Sequence, residues 1–159
     1  MDRLTAEFDV RFFKIHKRSS ALVGKIGADV LFASPRQPPA GTTGFSFGEC
    51  IIRSAAAVEQ AMGGITTRLW DDPFEWTLSE ELATPQKVLN YLDEVETGRV
   101  KAFNFIQNDS DLVKEIPAPI EIRTLFAVLL DSLAKAEHFQ GRAFSIFQFY
   151  TEVRLSRVE

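Results

Sequence analysis

Between Ser46 and Leu69 the apolar residues return at alternating steps of four and three: Ile51, Ala55, Val58, Met62, Ile65 and Leu69. That spacing sets all six along one stripe of a helix and gives a strand no consistent inner face. The start of the segment is encoded as well. In Ser46-Phe47-Gly48-Glu49 the serine hydroxyl can accept the amide of Glu49 while the Glu49 carboxylate reaches back to the amide of Ser46, a capping box. Gly63-Gly64 interrupts the stripe at about 1 kcal/mol per glycine relative to alanine, and marks a kink or a close helix–helix approach.

Three other segments carry the same period. The first runs from Arg3 to Ile26, with Leu4, Phe8, Phe12, Ile15, Leu22 and Ile26 on one side, Ser19 breaking the stripe and Gly27 as a stop. The third starts at Thr84-Pro85, a cap followed by proline at the first helical position. Its inner stripe is Val88, Leu92, Val95, Ala102 and Ile106, and Gln107-Asn108-Asp109-Ser110 ends it. Ile116-Pro117-Ala118-Pro119 sets the entry to the last helix, predicted from about Ile120 to near Val153 with Phe126, Leu129, Leu133, Phe144 and Phe147 on or near one face and Gly141 as its weak point.

The stretch 34–45, with three prolines and two glycines, reads as a loop, and Trp70–Leu78 as an aromatic loop covering one end. No segment has the sustained alternation of a strand. The expected fold is a single all-α domain over residues 1–159, a four-helix bundle whose long connections allow crossovers.

The length suffices for a substantial core, and 45% hydrophobic with 25% charged residues is ordinary for a globular protein. A net charge of -4 argues against nucleic-acid binding and against an anionic membrane surface. Fourteen Phe against two Tyr and two Trp call for a bulky interior or a buried interface, and a homodimer is the expected assembly. Cys50 is the only cysteine, so neither an internal disulfide nor a Cys-rich zinc site can form. Asp2, Arg3, Glu7, Asp9 and Arg11 break up any apolar leader, and a cytoplasmic protein is the simplest expectation.

Two segments bear on function: Phe45-Ser46-Phe47-Gly48-Glu49-Cys50-Ile51-Ile52-Arg53, and Lys135-Ala136-Glu137-His138-Phe139-Gln140-Gly141-Arg142. With the four-helix spacing, they make the chain resemble the DinB/YfiT-like superfamily. The resemblance implies an up-down-down-up bundle, often dimeric, in which one histidine of helix two and two of helix four bind a divalent metal. Members with known activity are mostly metal-dependent thiol S-transferases or isomerases. On that alignment the helix-two ligand position is Arg53, and the two helix-four positions are Lys135 and Phe139, while His138 is displaced by one residue, about 100° around a helix. Zinc or nickel would thus find an incomplete ligand set, and the implied metal site is read as lost, leaving no expected cofactor.

The remaining candidates divide between site and scaffold. Glu49 is explained by its cap, and it also forms an i,i+4 pair with Arg53 that could stand where the metal was. Lys135 reads as a solvated lysine; beside Arg53 it would favour an anionic ligand. His138 reads as a structural histidine, with displaced ligand or general base as alternatives, and Gln140 and Arg142 are further pocket candidates. His16, beside Lys14, Lys17 and Arg18, reads as part of a solvated face. Cys50, in the first turn of its helix where the dipole lowers a thiol pKa, reads as a small buried hydrophobe in preference to a nucleophile. Phe139, Phe144, Phe147 and Phe149 read as core or dimer interface. Two functions follow as expectations: a metal-free small-molecule-binding or interaction module, or a thiol-dependent S-transferase or isomerase rebuilt around Glu49, Arg53 and His138. Whether the chain is an enzyme stays open between them.

Overall fold

The computed structural model describes residues 2–34, 44–72 and 81–153. Most of the Pro/Gly loop and much of the aromatic loop after Trp70 fall outside these residues. The described chain is mostly helical, with four long helices: α1 (Arg3–Val23), α3 (Phe47–Thr67), α4 (Pro85–Phe105) and α5 (Leu125–Tyr150). A one-turn helix α2 (Ala28–Leu31) follows α1, and a 3-10 turn (Asp109–Val113) leads into a two-stranded antiparallel hairpin, β1 (Glu115–Pro117) with β2 (Ile122–Thr124).

Helix α3 begins as the sequence dictates. The Ser46 hydroxyl accepts the amide of Glu49 at 3.2 Å, and Glu49 Oε2 accepts the amide of Ser46 at 2.7 Å. The helix runs unbroken through Gly63-Gly64 and stops at Arg68, whose backbone is left-handed (φ 62°). The Arg68 guanidinium satisfies two terminal carbonyls, donating to Ile65 O at 2.6 Å and Gly64 O at 3.3 Å. Leu69 therefore lies beyond the helix and is exposed, a correction to the predicted stripe. Among the described residues no other helix lies against the glycines: a Cβ on Gly64 would lie 2.5 Å from the Trp70 ring, so Gly64 is the seat of that indole.

In α4 the predicted cap and inner stripe are both present, with Val88, Leu92, Val95, Ala102 and Ile106 buried. The last helix starts later than predicted. Thr124, whose hydroxyl accepts the amide of Ala127 at 3.2 Å, caps it, and Ile120 sits 98% exposed at the hairpin tip. The hairpin itself is absent from the sequence reading because three-residue strands between prolines show no alternation. Leu129 and Phe147 are core, but Phe126 and Phe144 are 38% and 41% exposed, off the inner face.

The 3-10 turn does more than end α4. Asp109 accepts the amides of Leu4 (3.2 Å) and Thr5 (2.8 Å) and the Thr5 hydroxyl (3.0 Å), and its own amide donates to Asp2 at 3.1 Å. Asp109 thus caps α1 in place of a local side chain. The Thr5 amide bond heads the causes that hold its carboxyl below the usual range.

Among the long helices, α3 packs on α5 and α4, and α1 on α4 and α5. Phe47 meets Phe147 (6.2 Å between centroids), while the hydroxyls of Ser54 and Ser132 donate across the α3–α5 seam to Ala136 O and Ala57 O, both at 2.8 Å. Ser19, the break in the first stripe, is buried and matched: the Gln140 amide nitrogen donates to its hydroxyl at 2.8 Å and to Ile15 O at 2.7 Å.

Candidate functional site

A cluster of two arginines and two phenylalanines lies at the N-terminal end of α3, where the first turns of α3 meet the middle of α5. Arg53 stands one helical turn after Glu49, and its guanidinium carbon lies 4.4 Å from the centroid of Phe45 and 5.9 Å from that of Phe139. Arg142 joins from α5, 4.8 Å from Phe45 and 5.9 Å from Phe139. The two rings meet edge to face at 6.1 Å and 74°. Two guanidiniums thus share a pair of aromatic rings, all four side chains half-buried. Each such contact supplies about 0.5–1 kcal/mol where solvent reaches it and more where it does not.

Sequence alignment with the resembled family put Arg53 and Phe139 at metal-ligand positions, and the fold brings those two side chains together. Their chemistry does not fit a divalent metal: a guanidinium stays protonated, a phenyl ring offers no lone pair, and Lys135 would carry an ammonium. Among the described residues no group of three His, Cys, Asp or Glu side chains is placed to hold a metal ion.

The other candidates separate. Glu49 Oε2 is engaged by both the amide and the hydroxyl of Ser46, the latter at 2.9 Å. His138 is exposed and lies edge-on to its neighbour Phe139, at the edge of the cluster. Gln140 is buried, and its contacts are with α1, so it is a bridge between helices. Lys135 is exposed and lines a different cavity one turn along α5. Cys50 is fully buried next to this cluster; burial pushes its thiol up, Arg142 and Arg53 pull it down and Glu49 pushes it up, and the net direction is upward. His16 is half-buried, with Nε2 3.7 Å from Asp93 Oδ1, which corrects its reading as part of a solvated face.

One cluster was missed in the sequence, although a charged residue at the skipped step of the α4 stripe was its signal. Arg99 on α4 is buried, with Nε and Nη2 donating to Glu96 at 2.8 and 2.7 Å, Nη1 held by Asp9 of α1, and its guanidinium near the rings of Phe13 and Phe103. Burial opposes its charge, but the Glu96 hydrogen bond and the two carboxylates prevail and raise its pKa. Arg99 stands at the step between Val95 and Ala102 in the apolar stripe of α4, and its charge is answered there by Glu96 on its own helix and by the carboxylate of Asp9 on another.

No protein-family model, curated protein or solved structure matches this chain.

Proposed function

We propose that the chain is a DinB-like four-helix bundle, ordered up-down-down-up, that has exchanged the three-histidine metal site for a cationic, aromatic-walled recess and serves as a small-molecule-binding module. Three sets of contacts support the topology. Phe8 meets Phe126 and Ser19 meets Gln140, so positions advance together along α1 and α5. Asp9 meets Arg99 and His16 meets Asp93, so α4 runs against α1. Phe47 meets Phe147 and Ala57 meets Ser132, so α3 runs against α5.

The observation that carries the function is the pair Arg53 and Arg142 over Phe45 and Phe139, where the resemblance would put a metal. Guanidiniums backed by rings suit a planar anion, a carboxylate above all, which they can bind in a bidentate manner. A thermal-shift panel of small carboxylates, low-molecular-weight thiols and Zn, Ni, Mn and Fe salts tests this, because a ligand that binds only the folded state raises the midpoint. Carboxylates should raise it, with the gain lost in Arg53→Gln and Arg142→Gln. Tight stoichiometric metal binding that depends on His138 would overturn the reading.

The position of His138 beside Phe139 supports a second reading, a thiol-dependent S-transferase or isomerase built around Glu49, Arg53 and His138. On that reading His138→Ala abolishes thiol binding in a folded protein; on the first it does not. The proposed assembly is a homodimer through the exposed aromatic residues of α5, Phe144 and Phe149, and light scattering in solution decides it. Among the described residues no helix is long and apolar enough to cross a membrane.

A further inference from the structure

A second cavity lies on the same α3–α5 seam. Arg53, Ala57, Gln60, Ala61 and Gly64 follow one another along one face of α3, and Val128, Ser132, Lys135, Phe139 and Arg142 along one face of α5. The first part of this seam is the arginine recess. One helical turn further along, the seam opens into a cleft of about 300 Å³ between α3, α5 and the tip of the hairpin.

Its walls are of unlike kinds. Ala57, Ala61 and Val128, all buried, form an apolar floor. Trp70 forms a wall fixed from three sides: its indole sits on Gly64, its Nε1 donates to Pro117 O at 3.0 Å, and its carbonyl accepts from Gln60 at 3.1 Å. Ile120 stands at the hairpin lip with its side chain in solvent. The charges at the mouth are unequally engaged. Arg123 is held by Asp131 at 2.6 Å, with Glu121 at 3.9 Å, so both acids already face a cation. Lys135 also lines the cleft, and among the described residues no carboxylate pairs with it.

We propose that this cleft binds a small amphipathic carboxylic acid, its ring or branched apolar body lying on the Ala57–Ala61 floor against Trp70 and its carboxylate on Lys135. The volume stands at the low end of the range of about 300–1,000 Å³ for small-molecule sites, which suits a single-ring acid better than a large cofactor or a peptide. A cationic ligand would find both rim acids taken by Arg123. The proposal rests on the reading of the chain as a small-molecule binder, and it adds a second site, for acids with an apolar body, beside the arginine recess.

The test uses the full chain with Trp76→Phe, so that Trp70 is the sole indole, titrated with 4-phenylbutyrate, 4-phenylbutylamine and 4-phenylbutanol. The acid should give a saturable one-to-one change in Trp70 emission, and the amine none. Lys135→Gln, at an exposed position, should weaken acid binding about tenfold, the scale of one charge-assisted hydrogen bond. Ala61→Leu should block it, with circular dichroism confirming the helices. Equal responses to acid and amine, an unchanged affinity in Lys135→Gln, or no saturable change would each overturn the proposal. Loss of acid binding in Arg53→Gln or Arg142→Gln with Lys135→Gln unaffected would move the ligand to the arginine recess, overturning this inference while leaving the proposed function intact. Metal binding through His138 together with a Lys135-dependent acid response would do the reverse.

Discussion

Arg99 and Arg142 both lie against phenylalanine rings, yet their surroundings differ. Arg99, its side chain 7% exposed, is closed in by Glu96 and by Asp9 from another helix. Arg142 is half-buried over Phe45 and Phe139, and among the described residues no carboxylate is bonded to it. A buried cation ringed by acids is part of the scaffold, because its charge is already answered within the fold. A cation resting on aromatic faces alone retains donors directed outward, which is the condition for meeting an anion from solution.

Substitution should separate the two. Arg99→Met should destabilise most, by about 3 kcal/mol in urea unfolding, because it leaves two acids facing each other without a cation; the value stays at the low end because solvent still reaches Asp9, whose side chain is 31% exposed. Gln140→Leu, two residues before Arg142, should cost about 1–3 kcal/mol by removing the donor to the buried Ser19 hydroxyl and the second donor to the Ile15 carbonyl, so this turn of α5 should not be generally tolerant. Arg142→Gln should cost at most about 1 kcal/mol, the value of a solvent-reached cation–π contact. If Arg142→Gln proves as damaging as Arg99→Met, the two arginines play the same part and the comparison fails.

The smallest effect should come from acid. Asp109 and Asp111 both titrate below the usual carboxylate range, Asp109 chiefly through the Thr5 amide and Asp111 chiefly through Lys114. Between the folded and unfolded values the unfolded chain binds more protons. Their contribution is therefore complete above about pH 4 and is lost as pH falls through the lowered values. Urea midpoints measured down to about pH 2.5 should fall less steeply in Asp109→Asn, which keeps an acceptor for the α1 amides while removing the titration. An unchanged slope would mean that the charge of Asp109 contributes nothing.

Much of the scaffold was legible because its signals are local. Ser46 with Glu49 and Thr84 with Pro85 fix helix starts within four residues, and the apolar period fixes the buried faces. The errors fall where the deciding partner is remote. Ser19 looked like a flaw in an apolar face and Gln140 like a pocket residue, and only their meeting across 121 positions makes both part of the scaffold. Asp109 looked like the end of one helix and is the cap of another. Of the site, Arg53, Phe139 and Arg142 were visible as candidates, and the fold brings them together; Lys135 was assigned to the same place and lies a turn away. The cleft was not legible, since alanines, a glycine and a hairpin tip carry no chemical signal until they are adjacent.

The clasp between Asp109 and the start of α1 bears on the order in which the chain can become structured. Helix α1 is made first, but the group that caps it is made more than a hundred residues later, and its main packing partners, α4 and α5, also come from the second half of the chain. During synthesis α1 must wait, uncapped and with its apolar stripe uncovered, while α3 is completed and α4 emerges. Contacts so distant in sequence slow folding, so a chain truncated before Asp109 should yield an α1 that chaperones or proteases find open.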